Sequence, residues 1–135
     1  MAPSSKLSKF RDHPPWDRPG YEVVDEYNGS EPAEGDRLVL EQLVAMGADL
    51  SKPRHVVHYF YFPNHQARDT AEGELRLKGY RTRHGVAAPE PNWKSLIAER
   101  HGLVDEQKVE EERVVLTEIA EAGDGEYDGW EAQLD

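Results

Sequence analysis

Residues 54–62 read Arg54-His55-Val56-Val57-His58-Tyr59-Phe60-Tyr61-Phe62, with Lys52-Pro53 before them and Pro63-Asn64 after. β-Branched and aromatic side chains fit a pleated sheet surface and proline cannot donate to a ladder, so the run predicts a central strand with sharp ends. Alternation sends Val56, His58, Phe60 and Phe62 to one face and His55, Val57, Tyr59 and Tyr61 to the other. The first face is the one assigned to helices, which makes His58 a hydrogen-bonded core histidine. His55 and His58 point to opposite faces, so they cannot converge on one metal ion.

Downstream, Asn64 is a cap for a helix from His65 to Lys78, with Ala67, Ala71 and Leu75 along one side and Gly79 as its terminator. Tyr80 to Val86 and Trp93 to Leu103 predict two strands of an antiparallel hairpin, joined by a loop carrying Pro89 and Pro91. Asp105 caps a third helix reaching about Ala122, with Val109, Leu116, Ile119 and Ala120 on its apolar stripe. Gly123-Asp124-Gly125 breaks it, and Glu126 to Leu134 predicts a last strand. Upstream, Leu40, Leu43 and Val44 mark a helix that starts near Glu34 and stops at Gly47. The stretch from Tyr21 to Tyr27 is too short and acidic to predict an element.

Setting the first helix aside, the order is βαββαβ. With right-handed crossovers this gives an α+β fold, a ferredoxin-like sandwich of four antiparallel strands with helices on one face and an additional N-terminal helix. Residues 33–135 form the expected domain. Residues 1–32, with Pro3, Pro14, Pro15 and Pro19 in their first twenty positions, are the expected Pro-rich, flexible extension.

The chain has 135 residues and a formal net charge of -11, but the charge is unevenly spread. Over 51–102, nine Lys and Arg outnumber five Asp and Glu, whereas over 103–135 twelve acids face two bases. The negative total disfavours direct binding to nucleic acid or to an anionic membrane surface. No cysteine is present, which excludes disulfides, thiolate metal sites and a catalytic thiol. No apolar run is long enough to span a bilayer or serve as a signal peptide, so a cytoplasmic protein is expected. Motifs for a serine nucleophile, a phosphate-binding glycine loop or a zinc helix are missing, and the expectation is a non-enzyme without cofactor or metal. His84 and His101 could meet across the hairpin, but no third ligand joins them.

The ordered set Gly47-Ala48-Asp49-Leu50-Ser51-Lys52-Pro53-Arg54, the strand to Tyr61-Phe62-Pro63, Gly79-Tyr80, Trp93 and Gly125-Glu126-Tyr127-Asp128-Gly129-Trp130-Glu131 resembles the ribonuclease E inhibitor family, the RraB-like regulators of ribonuclease E activity B. The resemblance spans about 34–135. It implies a small acidic protein that binds a ribonuclease E/G-type endoribonuclease and lowers its activity without catalysis of its own.

Three surfaces are candidates. The face with Tyr59 and Tyr61, joined by Arg81 and Arg83, has the aromatic and guanidinium content of a single-stranded RNA-binding sheet, the alternative function. The plainer reading has these tyrosines covered by the first helix or by a second copy in a homodimer. Alternation puts Tyr127 and Trp130 on opposite sides of the last strand, with Gly129 permitting a bulge and Asp128 accepting backbone N–H bonds. Glu111 and Glu112, in an acidic third helix, read as a solvated face or as a docking surface for a basic nuclease region. The expected partner-binding set is therefore Tyr59, Tyr61, Glu111, Glu112, Tyr127, Asp128 and Trp130.

Overall fold

In a computed structural model, residues 23–25, 32–85 and 92–134 are described. Strand β1 spans Val23–Asp25, helix α1 Pro32–Ala45, β2 Arg54–Phe62, α2 His65–Leu77, β3 Arg81–His84, β4 Lys94–Gly102, α3 Glu106–Ala122 and β5 Glu126–Gln133. The fold is α+β, and the sheet order is β1-β5-β2-β4-β3 with every neighbouring pair antiparallel. Strand β2 is central, as its double-sided pattern predicts.

The sheet has a fifth strand where four were expected. Val23–Asp25 lies within the stretch expected to be an extension, yet pairs with Glu131, Ala132 and Gln133 of β5. Three residues carry too little periodicity to announce a strand, and the pairing arises from a neighbour more than a hundred positions away. The loop prolines Pro89 and Pro91 and the Pro-rich residues 1–22 lie outside the described residues.

Local chemistry sets the helix ends. Asn64 and Asp105 cap α2 and α3 by accepting the backbone N–H of Ala67 and Lys108, each at 2.8 Å. The three helices finish in the same crossed pattern: Ala48 N–H returns to Leu43, Tyr80 to Leu75 and Gly125 to Ala120. The residue between is left-handed, Gly47 and Gly79 in the first two helices and Asp124 in the third. The motif following α1 also has a structural explanation. Ser51 N–H donates to Asp49 Oδ1 in a turn, and the buried Arg54 guanidinium donates to the carbonyls of Asp49 and Gln133, fastening that turn to β5.

All three helices pack on the face of β2 that carries Val56, His58, Phe60 and Phe62. Near the start of β2, α1 and α3 enclose Val39, Leu43, Val56, Val109, Trp130 and Ala132. Toward its end, α2 and α3 close over Phe60, Phe62, Leu75, Leu96 and Leu116. Val57, Tyr59 and Ile97 form a separate buried cluster on the opposite face, with no helix residue among the described residues in it.

Candidate functional site

The last strand departs from simple alternation, and the departure shapes the interior. Trp130 pairs with His58 while Tyr127 pairs with Phe60, so β5 spends one extra residue between these rows. Gly129 takes φ +95° at this bulge, a conformation open to glycine at little cost. Tyr127 and Trp130 consequently both face the helices, which corrects the expectation that one points outward. Asp128 and Trp130 are buried and Tyr127 is half-buried.

These aromatics end in two polar clusters. In one, His58 Nδ1 lies 2.8 Å from the Tyr127 hydroxyl oxygen and its Nε2 lies 3.4 Å from Glu112 Oε2. Arg100 grips Glu112 with two 2.6 Å bonds, from Nε to Oε2 and from Nη2 to Oε1, and the Tyr80 hydroxyl donates to Oε2 at 2.5 Å. Burial alone raises the Glu112 carboxyl, but facing His58 and Arg100 it is held well below the usual carboxylate range. Burial and the Glu112 carboxylate together push the Tyr80 hydroxyl far above its ordinary value. A carboxylate this fully engaged is anchored as an anion and has little capacity to accept a substrate proton.

In the second cluster Asp36, buried on α1, accepts from Trp130 Nε1 at 2.9 Å and from Arg113 Nε at 3.0 Å. Burial raises its carboxyl to about 6 despite these two donors. One side chain thereby ties α1 to β5 and to α3.

A third polar group fastens α2 to β3. Glu72 accepts from Thr82 Oγ1 at 2.7 Å and from Arg76 Nη2 at 3.0 Å, and its Oε1 lies 2.8 Å from His84 Nε2. Burial opposes ionisation of Glu72, but the bonds from His84 and Thr82 outweigh it and lower its carboxyl. Asp69, Glu72 and His84 are close enough to share a cation, yet Arg76 already pairs with Glu72 and Arg68 with Asp69. Two guanidinium groups at the carboxylates make this a hydrogen-bonded clasp. His84 pairs with Leu96 and His101 with His55, so the two histidines do not meet across the hairpin.

The expected partner-binding residues divide sharply. Tyr59 and Tyr61 are buried, at 1% and 0% exposure, so their rings offer no stacking platform beside Arg81 and Arg83. Among the described residues, helix α1 does not provide their cover, since its buried Val39, Leu40 and Leu43 cluster with Val56 and Trp130 on the other face. Glu112 is a correction of the same kind: expected on a solvated helix face next to Glu111, it is turned inward to Arg100 and His58. Glu111 remains exposed, its Oε2 accepting from Gln107 Nε2. It belongs to a groove of about 730 Å³ on α3 lined by Glu106, Gln107, Glu110, Glu111, Val114 and Val115. Here acidic residues of the C-terminal part of the chain meet solvent beside Val114 and Val115.

Residues 33–132 match the family model described as regulator of ribonuclease activity B. The chain belongs to this family. A comparison with curated proteins finds no match. The regulator of ribonuclease activity B domain thus covers α1 through nearly all of β5, including the polar clusters and the acidic face of α3. Among the described residues, no helix in this member is long and apolar enough to cross a membrane.

Proposed function

We propose that the protein is a non-catalytic inhibitor of a ribonuclease E/G-type endoribonuclease, acting by direct binding to alter RNA decay. The observation that carries this reading is the family match over residues 33–132. The sheet order β5-β2-β4-β3, with α2 and α3 as crossovers, is the arrangement we read as a ferredoxin-like domain preceded by a helix.

Within that reading, the buried members of the expected binding set act from inside. Tyr127 and Trp130 tie β5 to β2 and to α1, Glu112 ties α3 to β4, and Glu111 is the fully exposed member left to touch a partner. An enzyme that processes RNA must present Lys and Arg to phosphates, and an exposed row of glutamates is complementary to such a surface.

The test uses the purified chain with the purified ribonuclease E/G-type enzyme of the same cell and a fluorogenic RNA substrate. Cleavage is expected to slow as the chain is added, with saturation at the concentration where calorimetry reports binding. An unchanged cleavage rate at saturating excess, with no binding heat, would overturn the proposal.

A further inference from the structure

Helix α3 exposes an apolar residue in the middle of its carboxylates. Val114 is 47% exposed. On an α-helix its surface neighbours are the residues three and four positions away, Glu110, Glu111, Thr117 and Glu118, so three carboxylates ring one valine. Of the basic residues of the helix, Arg113 is turned to Asp36, and Lys108, a neighbour of Glu111, stands more than a quarter-turn from Val114 around the axis. Val114 and Val115 line the groove together with Glu106, Glu110 and Glu111.

We propose that this groove is a docking site for a Lys/Arg-rich peptide segment bearing a single apolar anchor, with Val114 receiving the anchor and Glu110, Glu111 and Glu118 receiving the charges. The inference rests on the reading of the chain as a nuclease-binding regulator and names the segment of the nuclease that is held. Charge complementarity selects the occupant: a nucleic acid is repelled by the three carboxylates, whereas a segment built to bind phosphates is attracted. The arrangement separates two contributions. The carboxylates supply a salt-sensitive attraction that speeds encounter, and the valine supplies a contact that salt does not screen.

The test measures binding of the intact chain to two probes, the purified endoribonuclease and a fluorescein-labelled Arg-Lys-Leu-Arg-Lys peptide, each at low and high salt. A matching peptide with Ser in place of Leu is the control ligand, and Leu77→Ser, at an 89% exposed position on α2, is the control variant. Val114→Ser is expected to weaken nuclease and Leu-peptide binding about tenfold, with the salt dependence retained and the Ser peptide unaffected. Glu110→Lys with Glu111→Lys is expected to weaken every probe by about tenfold or more and to flatten the salt dependence. Nuclease binding that all these variants leave intact would overturn the docking site while leaving the proposed function standing. Val114-dependent binding of the Leu peptide without any nuclease binding would do the reverse. A dimer in sedimentation that Val114→Ser dissociates would assign the groove to a second copy and overturn the proposal.

Discussion

Trp130 Nε1 donates to Asp36 Oδ1 at 2.9 Å across 94 positions of the chain, joining the last strand to the first described helix. The bond gives the indole N–H the partner that a buried tryptophan requires, and it places an acid in the interior. Arg113 supplies the compensating charge from α3.

The position of that acid predicts a pH signature. Asp36 has its carboxyl raised to about 6 by burial, against an ordinary value of 3.8. A raised value means that the folded state holds the proton more tightly than the unfolded one. The stability from this group is therefore complete below about pH 4 and is lost as pH rises through about 6, on the order of 2–3 kcal/mol in total. Glu72 and Glu112, whose carboxyls are lowered, act in the opposite sense, so the wild-type profile alone is mixed. Asp36→Asn isolates the effect: the difference between wild-type and variant unfolding free energies, measured in urea, is expected to change between pH 4 and pH 6 and to be flat above pH 7. A difference that is flat throughout would assign the ionisation elsewhere.

The register of β5 predicts a second effect. Gly129 holds φ +95° at the bulge that turns both Tyr127 and Trp130 toward the helices. Alanine there is expected to cost about 1–2 kcal/mol, and valine more, because a β-carbon disfavours that conformation. Near-ultraviolet circular dichroism is the sensitive readout, since relaxation of the bulge re-aims the Trp130 ring. An alanine variant with wild-type stability and spectrum would contradict this account of the glycine.

Most of the architecture was legible because its signals are local. Pro53 and Pro63 bracket β2, Asn64 and Asp105 announce their helices, and Gly47 and Gly79 end theirs. What alternation could not supply was the parity change at Gly129, which depends on an unpaired residue rather than on composition. Glu112 is misread, and Asp36 missed, for another reason. Glu112 follows Glu110 and Glu111, and a run of three glutamates looks uniformly solvated. Yet it sits three residues after Val109 and four before Leu116, on the buried stripe, just as Asp36 precedes Val39 and Leu40 by three and four. Helical spacing carried that signal, but the partners Arg100, Arg113 and Trp130 came only with the tertiary structure.

Neighbouring glutamates of α3 should therefore behave differently. Glu111→Lys alters an exposed side chain and is expected to leave the melting temperature unchanged. Glu112→Gln leaves Arg100 facing a neutral group and is expected to cost about 3 kcal/mol, and Glu112→Lys to prevent folding by setting an ammonium against that guanidinium. Thermal unfolding followed by circular dichroism compares the three. Equal melting temperatures for Glu111→Lys and Glu112→Lys would mean that Glu112 is not engaged as described.

The same logic decides the RNA-binding alternative. Bases stack on exposed rings, but Tyr59 and Tyr61 are buried, and Tyr59 packs with Val57 and Ile97. Tyr59→Ala is accordingly expected to destabilise the fold by about 3–5 kcal/mol, the range for deleting a large buried side chain. Arg81→Ala, at a side chain 85% exposed, is expected to change stability little. Neither substitution is expected to alter the anisotropy of a labelled oligoribonucleotide, because the wild-type chain, at a net charge of -11, should not bind it at physiological salt. Micromolar affinity that Arg81→Ala abolishes while the protein stays folded would restore the sheet face as an RNA site, because loss at an exposed arginine cannot be ascribed to unfolding.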